Sequence, residues 1–515
     1  MLALGRRSLL LGGTAALGLS LLPSSKAHAA TPMRGGHLRV GLGDGSTQDT
    51  IDPTVVLNDA QYIIQASCRS TLTTVEPDGS LTPNLAVKWE PSADLMQWSF
   101  EIRQGVTFHS GKPLTVEDVI ASINVHRGED SVSPVKAYVD PITDIVADGP
   151  NRLTISLKSA NVDFPGIFAQ SRLPIVPAKD GKADRTTFDG TGPYVLESFE
   201  PGVRMTFKRF EDHWDKENTG FFDSAEVIII ADDAARMNAL RTGQVDLINQ
   251  PDLRTLDLLK RDPNLVIDDN PSGRYYIFGM MSDVDPFTDK NVRQALKYAI
   301  NRDEMVKKVM LGYGRVGNDQ PIDPTNKYFN PNLEQREYDP EKAKYFLKQS
   351  GIDKITVPLS VAEMAFSGAV TAGSLFAASA AEAGITLDVT READDGYFEN
   401  VWLKKPFTAD YWTRQPTVDA HFTQAFSQES PWNETHFNNP RFTELLGLTR
   451  STLDEAKRTG MYQEMQQLIY EESGAVIPMF ANYVWVSTKK LKHGPVVVSN
   501  DLDGLRCIAR WWFEE

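Results

Sequence analysis

Apolar and polar residues alternate most clearly between Leu81 and Val119. Trp98, Phe100 and Ile102 alternate with Ser99, Glu101 and Arg103, the period of a half-buried strand. Ser110-Gly111-Lys112-Pro113 supplies turn chemistry, with Gly111 free to take φ > 0 and Pro113 fixing the exit direction. Thr115-Val116-Glu117-Asp118 then resembles a capping box ahead of Val119, Ile120 and Ile123, with an Asp that reaches back less well than a Glu. The pattern predicts strand, turn, strand, corner and helix start. It is scaffolding without chemistry of its own.

Other segments follow the helical period. Asp339-Pro340 provides an N-cap and a first-turn proline, Ala343, Phe346 and Leu347 form the apolar side, and Gly351 stops the helix. Asp289 opens another helix, with Val292, Ala295, Leu296, Ala299 and Ile300 on one face and Gly312 beyond its end. Ala377 to Glu382 runs into Gly384 and a strand from Ile385 to Val389. Met461, Met465, Leu468 and Ile469 make a stripe closed by Gly474, before strands Val476 to Phe480 and Val484 to Val486. These stripes read as core. Helix–glycine–strand units recur in both halves, which predicts an α/β chain with parallel sheet in each.

The N-terminus adds a targeting signal. Met1 to Ala29 carries Arg6 and Arg7, an apolar run from Leu9 to Leu22 and the small-x-small site Ala27-His28-Ala29, the anatomy of a signal peptide. Adjacent arginines before Ser8-Leu9-Leu10 point to twin-arginine export, with ordinary Sec export as the alternative. The run falls short of the ~20 residues that span a bilayer, and no cysteine lies near the cleavage site to take a lipid anchor. Cleavage near Ala29 implies a periplasmic protein of about 486 residues, enough for two or three lobes. It also removes three cations and no acid, moving the formal charge from −16 to −19. Such a surface argues against nucleic acid or anionic membrane as partner. Cys68 and Cys507 either pair or sit as buried free thiols.

Six further segments, in order, give the chain a family resemblance. Gly35-Gly36-His37-Leu38-Arg39-Val40 looks like a first strand and Ile51-Asp52-Pro53 like the "LDP" that follows it. Gly190-Thr191-Gly192-Pro193-Tyr194, the block Ala235 to Asp246, the block Pro286 to Arg302 (similar to "PF-D-VRQAL-AIDR") and Tyr338 to Ala343 complete the series. Together with Leu81–Val119 they resemble family 5 extracytoplasmic solute-binding proteins, receptors of peptide, nickel and opine-type ABC importers. The resemblance implies a type II-like periplasmic binding protein: two lobes around a cleft with a hinge, plus an extra α/β subdomain. Domain I would comprise residues 30–70, 190–279 and 483–515, domain II 71–189, and domain III 280–482. Chain crossings near Phe278–Met281 and Phe480–Val484 would form the hinge, and ligand would stabilise the closed form.

Candidate chemistry concentrates in Asp410-Tyr-Trp-Thr-Arg-Gln-Pro-Thr-Val-Asp419, with two aromatics, one cation and one anion around a proline turn. The resemblance implies that an acid in this region holds a peptide's α-amino group. Asp419 is the candidate, although the string departs from the peptide binders' "GDPDN". Arg414 offers a planar fork for a ligand carboxylate; the alternative is that Arg414 and Asp419 pair with each other or with surface partners. Trp412 and Tyr411 are candidate aromatic walls, or else core. Asn433 and Trp432, in the loop Pro431 to Thr435, could reach the cleft, as could Asp44 and Thr47 in the glycine-containing loop Gly43 to Gln48. His421, beside Asp419, could meet ligand; His109 reads as scaffold. No histidine pair has metal-ligand spacing, and no HExxH, CxxC, Walker A motif or nucleophile elbow occurs. The expected function is therefore a non-catalytic receptor, monomeric and without cofactor, that passes a short peptide or an opine-type conjugate to an ABC permease. A metal-chelate or haem receptor on the same fold and a secreted hydrolase are the alternatives.

Overall fold

The computed structural model describes residues 32–514, so the expected signal peptide with its arginine pair lies outside the described residues. No described helix is long and apolar enough to cross a membrane.

One eleven-stranded mixed sheet organises most of the chain. Its first half places His37–Leu42 parallel to Ser224–Ile229 and to Leu247–Asn249, with Tyr194–Glu200 and Arg204–Arg209 as an antiparallel edge. Its second half places Ile355–Val361 parallel to Ile385–Arg391 and, through one pair, to Phe407–Trp412. Parallel pairing thus occurs in both halves. Two long antiparallel strands, Leu265–Met280 and Ala475–Thr488, join them. The expected strands Val476–Phe480 and Val484–Val486 are one continuous strand, because Ala481 to Tyr483 stay paired with Asn270, Pro271 and Arg274.

Each half has its own core. Leu38, Val40, Phe207, Trp485 and Trp511 belong to one. Phe278, Met280, Val357 and Phe407 belong to another, with a neighbouring cluster around Tyr275, Phe422 and Tyr462. The chain passes from the first core to the second at a register shift between Pro271 and Arg274. That passage precedes the expected Phe278–Met281, since both of those residues are buried in the second half. Ser272 and Gly273 sit at the shift, where the Ser272 hydroxyl donates to the Ala481 carbonyl (2.7 Å) and accepts the Arg274 N–H (3.1 Å).

Residues 71–189 build a separate four-stranded antiparallel sheet, Ala86–Pro91, Gln97–Ile102, Arg152–Leu157 and Ile142–Ala147, over a core that includes Trp98, Phe100, Phe108 and Val119. The capping box forms in full: Asp118 accepts the Thr115 N–H (2.9 Å) and is held by Lys112 Nζ (2.6 Å). The lysine compensates for the short aspartate. The helix expected from Asp289 to beyond Ile300 instead breaks into Lys290–Tyr298 and Arg302–Lys308, because the Asn301 side chain caps the second at Glu304 N (3.0 Å). Cys68 and Cys507 are free thiols buried in the same core.

The way out of the first half and the way back are in backbone contact. His109 N–H donates to the Gly190 carbonyl (2.8 Å), its Nε2 lies 2.9 Å from the Gly192 carbonyl, and Gly192 N–H donates to Cys68 O (2.9 Å). A Cβ on Gly192 would stand 2.4 Å from the Cys68 carbonyl carbon, and one on Gly190 2.1 Å from its oxygen. Close passage, rather than an unusual φ, explains this glycine pair. Gly192→Ala is therefore expected to destabilise the fold by about 1–3 kcal/mol, the range for overpacking. A lowered urea midpoint checks it; an unchanged midpoint would mean that the two passes can separate freely.

Candidate functional site

A cleft of about 1520 Å³ lies between the two halves and under the 71–189 module. Ligand sites for drug-sized molecules occupy roughly 300–1,000 Å³, so a small solute would share this space with water. Asp44, Asp59 and Tyr62 come from the first half, Val162 to Arg172 from the module, and Arg274, Trp402, Asp410 to Val418 and Trp432 from the second. The mouth is bridged. Tyr138 Oη donates to Gln415 Oε1 (2.8 Å) and Gln424 Oε1 (3.1 Å), and Val162 N–H donates to the Arg450 carbonyl (2.8 Å). Arg458 pairs with Asp163, which also accepts the Tyr462 hydroxyl (3.2 Å).

Five of the nine residues singled out in the sequence line the cleft: Asp44, Tyr411, Trp412, Arg414 and Trp432. Asp44 accepts the Asp59 N–H (3.1 Å) at the start of helix Asp59–Cys68. Trp432 is exposed and approaches Trp402 and Trp412 edge-on or tilted, with centroids 5.8 and 6.2 Å away. Arg414 lies 3.6 Å from Asp323, whose other oxygen faces Arg315 at 3.9 Å.

The other four are held elsewhere. Asp419 sits in the first turn of helix Val418–Phe426, which turns its carboxylate into a 2.7 Å pair with Arg450 Nε, away from the cleft. His421, on the same helix, is buried against Trp412 and 3.0 Å from the Tyr275 hydroxyl; burial pushes it down to about 3 and keeps it neutral. Asn433 is consumed by its own loop, donating to Phe437 O (2.9 Å) and accepting Phe437 N–H (3.1 Å). Thr47 is an exposed turn residue whose backbone lies against Gly202, because Asp49 accepts the Ser46 N–H (2.8 Å) and folds the loop back.

The chemistry missed by pattern alone is a carboxylate pair. Asp410, within strand Phe407–Trp412, lines the cleft yet is only 3% exposed and has no ion pair among the described residues. Glu434 lies close by, accepting indole N–H bonds from Trp412 (2.7 Å) and Trp402 (3.2 Å). Burial, then the charge of Glu434, raises Asp410 well above the usual carboxylate range. Burial also pushes Glu434 up to about 7, against the two indole bonds that favour its charged form. Two acids in an aromatic box, with no cation paired to them among the described residues, hold a proton in the empty protein and can release it to become the counter-charge of an arriving ammonium group. The available signal was an acid inside the apolar strand Phe-Thr-Ala-Asp-Tyr-Trp, since a buried charge needs a partner.

With this geometry in place, the family becomes definite. Residues 80–434 match the model of the bacterial extracellular solute-binding proteins, family 5 middle region. The chain belongs to that family. This receptor family serves ABC importers. The dipeptide-binding protein of Escherichia coli K12 is 24% identical over 436 residues, covering 77% of this chain and 80% of that protein. Two solved structures share the fold. One is a Helicobacter pylori periplasmic binding protein in complex with the peptide STSA, with TM-score 0.79 and 21% identity over 94% of this chain and 99% of that one. The other is an Agrobacterium tumefaciens R10 protein, AgaA, in complex with agropinic acid, with TM-score 0.79 and 22% identity over 93% and 99%. They bear out the expected solute-binding fold.

The carboxylates of the receptor make stability depend on pH. Glu434 has a folded pKa of about 7 above an ordinary 4.5, so it contributes most when protonated, and that contribution falls as pH rises from 4.5 to about 7. Asp59, pushed up to about 8 by burial and by Asp44 and Asp501, acts in the same direction up to higher pH. Glu434→Gln should therefore flatten the loss of thermal stability between pH 5 and pH 7. Melting curves across that window test it, and an unchanged slope would show that Glu434 is not protonated on folding.

Proposed function

We propose that this chain is an exported receptor for a small zwitterionic solute, a short peptide or an opine-type amino-acid conjugate, which it encloses by hinge closure and delivers to the permease of an ABC importer. The carrying observation is Asp410, a buried carboxyl of the cleft wall with Glu434 close behind it and no ion-pair partner among the described residues, suited to the solute's ammonium group. In this reading Asp410 takes the role expected of Asp419, which Arg450 occupies. Tyr411, Trp412 and Trp432 supply apolar walls, with Asp44 on the opposite side and Arg414 at the rim.

The proposed organisation keeps domain II at 71–189 and moves the expected boundary between domains I and III from 279/280 to the Pro271–Arg274 shift. Domain I then comprises 30–70, 190–271 and 483–515 and domain III 274–482, with hinge movement at that shift and opposite Ala481–Asn482. The receptor acts as a monomer in the periplasm after cleavage near Ala29, and it does not transform what it binds. Support comes from the family assignment and from a cleft bounded by three parts of the chain.

A cognate solute should raise the melting temperature and be recovered intact, since it binds only the folded form. Native mass spectrometry of the purified protein would reveal a retained solute directly. A metal chelate or haem in the spectrum would replace the peptide or opine class, and turnover of the solute would overturn the receptor reading. Asp410→Asn should weaken binding of an ammonium-bearing solute by about tenfold or more, ~1.4 kcal/mol, while the melting temperature of the empty protein is not lowered, because a buried acid is replaced by a neutral amide. Unaltered affinity would remove Asp410 from the site.

A further inference from the structure

We propose that Arg274 anchors a carboxylate of the solute and so sets the direction in which the ligand lies along the cleft. The proposal rests on the solute-receptor reading and adds the ligand's second charge.

Arg274 follows the register shift in the long strand and lines the cleft. Among the described residues no carboxylate lies within ion-pair distance of it, and its Nε is buried without an acceptor. A guanidinium has five donors and no way to shed its charge, so burying it without acceptors is costly. Its flat face is nevertheless supported. The guanidinium carbon lies 4.8 Å from the centroid of Tyr411 and 5.5 Å from that of Tyr276. Tyr276 in turn stacks on Phe366 at 4.1 Å with the planes 7° apart, which fixes the platform. A guanidinium set over two rings, with no acceptor on its Nε, keeps donors for a planar acceptor, and a carboxylate matches that fork.

The neighbouring arginines are already committed. Arg315 donates to the Ser272 carbonyl (2.6 Å) and faces Asp323, and Arg414 faces the same aspartate. A Cβ on Gly273 would lie 3.3 Å from Arg414 Cβ and 2.7 Å from Asp323 Oδ2, so the strand irregularity packs against an aspartate that two arginines already share. The excess positive charge falls on Arg274, the one without an ion pair. Asp59 is the nearest alternative counter-ion, but it is beyond ion-pair distance and, with its carboxyl pushed up to about 8, largely uncharged at neutral pH. A resident partner for Arg274 is therefore lacking on both sides.

The test uses the purified protein, native mass spectrometry and calorimetry. The probes are dipeptides, tripeptides and N-carboxyalkyl amino acids, each as free acid and as C-terminal or side amide. Wild type should prefer the acid over its amide by about tenfold or more. Arg274→Gln should reduce that preference to below about threefold while leaving amide affinity unchanged, and Arg274→Lys, which keeps charge but not the fork, should fall between them. Equal wild-type affinity for acid and amide, or a preference retained in Arg274→Gln, overturns the assignment. So does loss of the preference in Arg414→Gln alone. Should Arg274→Gln not fold, the wild-type acid–amide contrast and Arg274→Lys decide. Failure of every probe to bind wild type would instead overturn the peptide-or-opine reading on which the proposal stands.

Discussion

The antiparallel pairing of Leu265–Met280 with Ala475–Thr488 is the constraint from which the rest of the molecule follows. Two strands of this length run through both cores, so neither half can fold without placing a wall of the other. Trp485 belongs to the first core and Phe480 to the second, on one strand. Where the pairing slips, at Pro271 to Arg274, the ladder loses regularity and the strand face rotates. Arg315 and Arg414 share Asp323 there, and Arg274 follows the slip on the strand itself. The cleft is accordingly built where the sheet is irregular, and Arg274 and Asp410 stand inside strands fixed by the cores behind them.

Recognition in such a cleft depends less on apolar area than on what has been left unpaired. Among the described residues, Asp410 and Glu434 are buried without a cation, and half-buried Arg274 keeps its Nε from water without an anion. Each carries a desolvation penalty in the empty protein that a complementary solute relieves. The aromatic frame lowers the local dielectric and also determines how tightly those charges are held. The same groups that lower stability when empty thereby favour the bound form, and the penalty is borne by the free receptor.

The scaffold was largely legible and the site only in part, for different physical reasons. Strand Gln97–Ile102 and helix Val116–Asn124 announce themselves through period and capping, which are local. Asn301 hid a helix break because its cap lies within a continuous apolar stripe. Tyr411, Trp412 and Arg414 could be placed because they surround a proline turn. Asp419 could not, since one helical turn decides whether its carboxylate faces the cleft or Arg450, and Arg450 is 31 positions away in the chain. Asp410 was concealed within an apolar strand, and Arg274 behind a turn-like Asp-Asp-Asn-Pro-Ser-Gly run that hid the long strand through it. A charge in such a strand signals an unusual environment, but only tertiary pairing shows whether a partner waits there.

The bridges across the mouth, Asp163 with Arg458 and Tyr138 with Gln415 and Gln424, touch no residue of the carboxylate pair. Their free energy is gained in every enclosed complex, whatever lies inside. Such a uniform contribution raises all affinities by one common factor and leaves their ranking untouched, whereas groups such as Asp410 and Arg274 act on the ranking. Capture strength and choice of cargo are thus encoded in separate parts of the sequence. A lineage could adjust the first to scarcity or plenty by changing rim residues alone, without relearning what the receptor carries.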